Sequence, residues 1–173
     1  MPEKSGVASI TTVVRADFVS TMTLTGTLRV PLPPTEAFRL FTARGERDWV
    51  HGWEPHFPKP VADDAAVGTV FETDADEQHV TWIVVDRDGH RRIRYARTAA
   101  GRDAGTVEVT LAPDGEDSEV TVTYRLTALT PAGAEWLRTF ADGYPAFLRS
   151  WEVRFGAIPV AIEKVSGIAS AVT

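Results

Sequence analysis

The four histidines are the residues whose type and spacing come closest to a metal site in this sequence. His51 and His56 lie on either side of an acidic residue, and His79 or His90 could complete a ligand set. A helical zinc site places two histidines four positions apart, whereas His51 and His56 are five apart in a segment that Pro55 interrupts. We therefore expect no metal and no other cofactor, and we interpret the imidazoles as exposed groups or as anchors of a loop.

Charged residues in strand-like segments are the candidates for acid–base or anion chemistry. Glu108 alternates with apolar residues, and so do Arg92 and Arg94. In strands this alternation predicts an outer, solvated face on which the arginines pair with Glu108 or Glu119. Arg97 breaks the pattern because it shares a face with the apolar residues of its strand. Two interpretations stay open for Arg97: it meets an anionic group of a ligand at the end of the sheet or, as we favour, it reaches solvent.

Large aromatic side chains are the candidates for binding a small apolar molecule. A single aromatic residue at helical spacing is more often close-packed core than a ligand contact. As a group, aromatics on a sheet and on the helix that covers it can line an apolar pocket in which a few hydroxyl groups orient the ligand. The candidate ligand-binding residues are Trp53, Trp82, Tyr95, Tyr124, Phe140, Tyr144 and Phe147.

Three aromatic residues, one of them the candidate Trp53, lie in or beside a segment rich in glycine and proline. Trp49, Trp53 and Phe57 would be costly to leave in water without a surface to cover. They could form a lid over the mouth of a cavity, or they could plug one end of the sheet as a satellite of the core. Both interpretations stay open.

Several classes of chemistry have no residues to support them. The 173-residue chain contains no cysteine, which excludes disulfides, thiol nucleophiles and cysteine-ligated zinc. It also lacks a Gly-x-Ser-x-Gly elbow, a phosphate-binding loop and a dinucleotide-binding fingerprint. We therefore assign no catalytic residue.

Charge and hydropathy restrict the partners. The formal net charge of −6 opposes binding to nucleic acid or to an anionic membrane, so neither is expected. No stretch approaches the roughly 18 apolar residues of a membrane-spanning helix, and no signal-peptide pattern is present. The expected compartment is the cytoplasm, and the sequence carries no signal for an oligomeric state.

The periodicity of the apolar residues predicts the elements that position these candidates. Residues 1–17 are interpreted as a loose leader or an extra edge segment, after which alternation predicts a strand that ends at Val30 and is followed by two short helices. Residues 50–67 contain too many glycines and prolines for regular structure. Further strands are predicted at 69–73, 79–86, 91–98, 106–111 and 120–127. Asp-Gly pairs at 88–89 and 114–115 are hairpin signals, so these strands should pair consecutively and antiparallel.

A long C-terminal helix completes the predicted elements. Aromatic residues recur at spacings of three and four along residues 136–155, which is the pattern of one helical face. Thr130 suits the N-cap, and Gly156 suits the C-terminal cap. Residues 18–158 would then form one domain, with a C-terminal tail at 159–173. Because an antiparallel sheet with one buried face must be covered, this order of elements predicts an α+β fold.

Three passages and the order of the elements resemble a known superfamily. Residues 30–38 (VPLPPTEAF) lead from the first strand into the first helix, Gly68-Thr69-Val70-Phe71 opens the second strand, and residues 45–55 read GERDWVHGWEP. Together with the element order from 19 to 155, they are similar to the START and pollen-allergen-like helix-grip superfamily, often called SRPBCC. The run at 45–55 looks like one in its uncharacterised branch of polyketide-cyclase-like and lipid-transport-like proteins.

This resemblance implies a curved antiparallel sheet of six or seven strands that wraps around a long C-terminal helix, with two short helices after the first strand. It also implies a cavity that holds lipids, polyketides, hormones or other apolar molecules, but no single reaction. We therefore expect the binding or carriage of a small apolar molecule. A polyketide aromatase or cyclase is the alternative if a polar group lies at the cavity floor. An interaction module similar to chaperone activators is the alternative if an apolar sheet face is exposed and the interior is filled.

Overall fold

One antiparallel sheet dominates the computed structural model, which describes residues 9–15, 18–75 and 77–170. Its strands are β1 (Ser9–Arg15), β2 (Phe18–Val30), β3 (Val70–Ala75), β4 (Gln78–Asp88), β5 (Arg92–Ala99), β6 (Asp103–Asp114) and β7 (Asp117–Ala128). They lie in the order β1-β2-β7-β6-β5-β4-β3, so that β3 to β7 form the predicted meander. The hairpin glycines Gly89 and Gly115 adopt φ angles of 52° and 64°, the left-handed region that these tight turns require.

Short helices after β2 and a long C-terminal helix are present, as the sequence predicts. Helix α1 (Pro34–Ala37) and two 3₁₀ helices at Phe38–Phe41 and Gly45–Asp48 follow β2, and the long helix α2 (Pro131–Ser170) follows β7. A curved seven-stranded sheet with a long C-terminal helix confirms the predicted helix-grip-like α+β fold.

Burial alternates along the strands, and this alternation defines the inner face of the sheet. In β4 the buried residues are Val80, Trp82 and Val84, and in β5 they include Ile93 and Tyr95. Side chains at every second position of a strand point to the same face, so these residues share one face of the sheet. The inner face is therefore both apolar and rich in aromatic residues.

Helix α2 packs closest to one half of this sheet, on β2 and β7. Gly26 of β2 makes the approach possible, because a Cβ atom there would overlap Cδ1 of Leu148 in α2. Tyr144 of the helix is fully buried and donates its hydroxyl hydrogen to the carbonyl oxygen of Val122 in β7, at 2.6 Å. These contacts fix the position of the helix over β2 and β7 rather than over β3 to β5.

The start of α2 is as predicted, and its end is not. The N–H of Gly133 donates to the Thr130 side-chain oxygen at 3.0 Å, which makes Thr130 the N-cap. The predicted end at Gly156 is wrong, because the helix continues to Ser170. Gly156 is not among the glycines with positive φ, so it does not adopt the left-handed conformation of a C-terminal cap. No described helix, α2 included, is long and apolar enough to cross a membrane.

The described part of the N-terminal segment is a strand. Residues 9–15 form β1, which pairs antiparallel with β2 at the edge of the sheet. Of the two interpretations of residues 1–17, the extra edge segment therefore applies to 9–15, while 1–8 and 16–17 lie outside the described residues. The bounds of a domain at 18–158 and a tail at 159–173 stay a prediction.

Candidate functional site

The first group of aromatic side chains lies on the half of the sheet that α2 does not approach closely. We call Trp53, Phe57, Phe71, Trp82 and Tyr95 the sheet-side cluster. The rings of Phe71 and Trp82 are stacked with centroids 5.9 Å apart, and the ring of Trp53 lies 5.7 Å from that of Trp82. Tyr95 meets Trp82 edge to face at 6.2 Å, and Phe57 lies 5.9 Å from Phe71. Three of the seven candidate residues, Trp53 of the loop and Trp82 and Tyr95 of the sheet, therefore belong to one cluster.

Hydrogen bonds hold the polar ends of these rings. The indole N–H of Trp82 donates to the side-chain oxygen of Thr73 at 2.9 Å. The hydroxyl of Tyr95 donates to the carbonyl oxygen of Phe41 at 2.7 Å, and burial raises its pKa well above the ordinary value. Tyr95 is therefore a neutral, fixed group rather than a free donor.

The second group lies on α2 and on β7. We call Tyr124, Trp136, Phe140, Tyr144 and Phe147 the helix-side cluster. The ring of Phe140 lies 5.2 Å from Tyr124, 5.2 Å from Trp136 and 5.6 Å from Phe147. Trp136, Phe140 and Phe147 pack on the core but keep part of their surface uncovered, whereas Tyr144 is fully buried. Trp136 belongs here although the sequence analysis did not include it among the candidates.

The three predicted lid residues occupy two different environments. Trp49 is buried, lies 4.9 Å from the ring of Trp151, and donates its indole N–H to the carbonyl oxygen of Leu40 at 2.7 Å. Trp53 and Phe57 are only partly buried and contact the sheet-side cluster. Trp49 thus fills the core beneath the loop, and the other two keep surface that a ligand could cover.

Arg97 corrects the sequence analysis, which favoured a solvent-exposed side chain. The residue is only 9% exposed, and its Nη2 lies 3.0 Å from Oδ1 of Asp103, which is fully buried. Arg102 donates from Nε to the other carboxylate oxygen of Asp103 at 2.7 Å. The alternation that puts Arg97 on the inner face was therefore correct, and the favoured route to solvent was wrong because Asp103, after the β5–β6 turn, provides a buried counterion.

Aromatic rings on both sides also stabilise the Arg97 guanidinium. Its central carbon lies 5.2 Å from the ring centroid of Trp82 and 6.0 Å from that of Trp136. Burial lowers the pKa of Arg97, and the charge of Asp103 opposes that shift. Arg97 is thus the point at which the sheet-side and helix-side clusters come together.

Glu46 is a second polar group beside the clusters, half-buried by its exposed surface, and sequence reasoning missed it. It lies in the 3₁₀ helix Gly45–Asp48, and burial raises its pKa from 4.5 to about 8. Burial also raises the pKa of Tyr124 and of Tyr95, and the negative charge of Glu46 adds to both shifts, so the half-buried Glu46 carboxyl group lies on the side of these two phenols. A one-turn 3₁₀ helix has no apolar period that could reveal this direction. The only available signal was its place in the run at 45–55 that carries the resemblance.

On the outer face of the sheet, one of the predicted ion pairs is present and one arginine has a different partner. Arg94 donates from Nε to Glu108 at 2.9 Å, as predicted. Arg92 instead pairs with Asp86 of β4 at 2.6 Å. Beside these charges, the side chain of Ile83 on β4 is among the exposed apolar groups.

The histidines do not converge. His79 contacts Asp74 at 2.9 Å and Glu72 at 3.4 Å, and the hydrogen bond to Asp74 raises its pKa. His56 lies in an isolated backbone bridge to Glu72. Over the part of the chain that the structure describes, no three histidine, aspartate or glutamate side chains form a group that could hold a metal ion.

The fold and this interior define the class: an α+β protein of helix-grip type, with aromatic residues on both the sheet and the helix. Solved structures share the fold. CalU16 from Micromonospora echinospora is 15% identical over 98% of both chains, with a TM-score of 0.62. Protein MLL2253 from Mesorhizobium loti is 18% identical over 78% of this chain and 96% of its own, with a TM-score of 0.59.

DynU16, from the dynemicin biosynthetic locus, is 17% identical over 78% of this chain and 47% of its own, with a TM-score of 0.55. At these identities the likeness shows the fold alone. No protein-family model and no curated protein matches the sequence.

Proposed function

We propose that the protein binds a small, largely apolar molecule between the inner face of β3 to β5 and helix α2. This proposal rests on the arrangement of the two aromatic clusters. They share the inner side of the sheet, but among the described residues no aromatic pair joins a ring of one cluster to a ring of the other. Because α2 lies over β2 and β7, the inner face of β3 to β5 is the part of the sheet on which a ligand would lie.

Partial exposure of the rings supports the same proposal. Trp53, Phe140 and Phe147 from the candidate set, together with Phe57 and Trp136, pack against the core and still keep uncovered surface. Large aromatic surfaces that remain uncovered beside a core are typical of ligand sites. Burial of a ligand against them would stabilise the complex by about 25 cal/mol per Å² of apolar surface removed from water.

Uptake of a neutral apolar dye tests the proposal. We expect N-phenyl-1-naphthylamine to fluoresce strongly with the wild-type protein, and Phe140→Gln to weaken its binding. Val153→Gln is the matched control, because Val153 lies on the same helix and is 77% exposed. Equal loss in both variants, or no uptake by the folded wild type, would refute an interior binding site.

A cyclase-type enzyme acting in the same interior is the second candidate, and Glu46 favours it. With a pKa of about 8, Glu46 is a neutral acid at neutral pH that can donate a proton and take it back. The aromatic rings of the two clusters could hold a reactive chain in one folded conformation. A cyclase would need the same interior as a carrier protein, and in addition one group that transfers a proton.

Product analysis separates the two candidates. A linear poly-β-ketone incubated with the enzyme should give a ring pattern that differs from the spontaneous products. Glu46→Gln should abolish that difference while dye uptake persists. An unchanged product pattern with intact dye uptake indicates carriage without catalysis.

A cytoplasmic location, as expected from the sequence, is part of the same proposal.

A further inference from the structure

We infer that the ligand carries a carboxylate, and that Arg97 binds this group between the sheet-side and helix-side clusters. The inference rests on the proposed function and specifies the chemical class of its ligand. It assigns a role to an arginine that would otherwise be a costly buried charge.

The balance of charge around Arg97 is the first argument. Two guanidinium groups, those of Arg97 and Arg102, share the single carboxylate of Asp103. The charged groups that act on Arg97 are Asp103 and Arg102, with Tyr124 beside them as a neutral phenol at ordinary pH because burial raises its pKa. The three groups together carry one net positive charge, and Arg97 is the more deeply buried of the two arginines, with a side-chain exposure of 7% against 18% for Arg102. A ligand with one negative charge would balance it.

Unused hydrogen-bond capacity is the second argument. Within the described parts of the chain, Nε of Arg97 is buried and has no hydrogen-bond partner. Nη2 lies 3.0 Å from Oδ1 of Asp103 and is engaged by that counterion. A buried donor without a partner is unfavourable, and a planar guanidinium matches the two oxygens of a carboxylate.

The surroundings of Arg97 restrict the rest of the ligand. The guanidinium carbon lies 5.2 Å from the ring centroid of Trp82 and 6.0 Å from that of Trp136, and Phe140 stacks on Trp136 at 5.2 Å. Only one charge of the ligand can be matched here, whereas its remaining surface would meet aromatic rings. The ligand class is therefore an apolar monocarboxylic acid rather than a sugar, a nucleotide or a polyanion.

Paired probes test the inference on the wild-type protein. We compare 11-(dansylamino)undecanoic acid with its primary amide at about pH 7, where only the acid is charged. The acid should bind roughly 10- to 100-fold more tightly, as expected for charge-assisted hydrogen bonds in a buried site. Equal binding of the two probes would overturn the inference and leave the proposed function intact. Binding of neither probe by folded protein would overturn both.

Variants locate the preference at Arg97. Arg97→Gln should remove the preference for the acid while keeping the affinity for the amide, and Arg97→Lys should retain part of it. Arg94→Gln is the matched control, because Arg94 is an ion-paired arginine of the same strand on the outer face. If Arg94→Gln removes the preference as well, or if Arg97→Gln keeps it, Arg97 is not the binding group. Should Arg97→Gln fail to fold, the Arg97→Lys variant decides the question. A smaller ratio of acid affinity to amide affinity than in the wild type supports the inference, and an unchanged ratio overturns it.

Discussion

At the scale of single residues, Glu46 couples the interior to pH. Burial keeps its proton bound in the folded protein up to about pH 8, whereas the unfolded chain releases it near the ordinary value of 4.5. The folded state therefore binds more protons than the unfolded state between these values, and stability falls as pH rises through this window. Below the lower value the contribution is fully present, and above the upper value it is lost.

Glu46→Gln should remove this pH dependence. Relative to wild type, the variant's free energy of unfolding should increase by roughly 2–4 kcal/mol between about pH 4.5 and pH 8, allowing for partial exposure of the residue. Urea unfolding at a series of pH values measures the difference. Glu135→Gln, at an exposed position of α2, should show no such trend. Parallel curves for wild type and Glu46→Gln would show that the carboxyl group is not buried.

Two ion pairs provide a second residue-scale prediction. Asp103→Asn should cost about 3–5 kcal/mol of unfolding free energy, because it leaves the buried charge of Arg97 without its counterion. Glu108→Gln, which breaks the outer pair with Arg94, should cost about 0–1 kcal/mol. Chemical denaturation of both variants checks this, and similar losses would mean that the Asp103 pair is as well solvated as the outer one.

The same residues show how far sequence reasoning reaches. Strand alternation puts Tyr95 on the face opposite Arg92 and Arg94, and this face is buried in the structure, because the period of two depends only on the backbone. It also puts Arg97 on the inner face, but its burial depends on Asp103, which the chain brings close only after a turn. The direction of Glu46 depends on a 3₁₀ helix and has no periodic signal. The local pattern thus predicts which residues of a strand share a face, whereas an ion pair across a turn is visible only in the structure.

At the scale of elements, the first turn of α2 is held against the β5–β6 turn. A Cβ atom on Gly133 would overlap the carbonyl oxygen of Arg102, a backbone atom that cannot move aside easily. Thr130 joins the two elements by donating its hydroxyl hydrogen to the carbonyl oxygen of Gly101 at 2.8 Å. These two contacts fix the start of α2 beside Asp103 and Arg97.

Two identical substitutions in α2 should therefore have opposite effects. Gly133→Ala should lower the free energy of unfolding by about 1–3 kcal/mol through steric overlap. Gly143→Ala should raise it by roughly 0.5–1 kcal/mol, because that glycine has open space around it and alanine favours the helix. Thermal and urea unfolding measure both changes. An increase in the free energy of unfolding on Gly133→Ala would show that the start of α2 does not pack against the backbone of Arg102.

Element boundaries follow from the sequence where the signal is local. The Asp-Gly turns and the Thr130 cap are correct because each depends on a few neighbouring residues. Strand β6 begins at Asp103 rather than at the predicted residue 106, since the turn before it is tighter than its two glycines suggest. The end of α2 was missed because glycine permits a left-handed cap without requiring one.

At the scale of the whole molecule, the sheet is wider than one helix can cover. Helix α2 lies on β2 and β7, and the inner face of β3 to β5 is left to the segment after β2 and to aromatic side chains. Trp53 and Phe57 of that segment contact Phe71 on β3 and so cover part of that face. A ligand would complete the core, so folding and binding should be thermodynamically linked.

This linkage predicts a concentration-dependent increase in the thermal unfolding midpoint. A ligand at about 100 times its dissociation constant stabilises the folded state by about 2.7 kcal/mol, which corresponds to roughly 5–10 °C for a chain of this size. Undecanoic acid should give such a shift with wild type and with Val153→Gln, whose substituted side chain faces solvent. Phe147→Gln should reduce the shift, since Phe147 is one of the partly covered rings of the helix-side cluster. Differential scanning calorimetry measures it, and a midpoint that stays constant over a thousandfold range of undecanoic acid would contradict a core completed by such an acid.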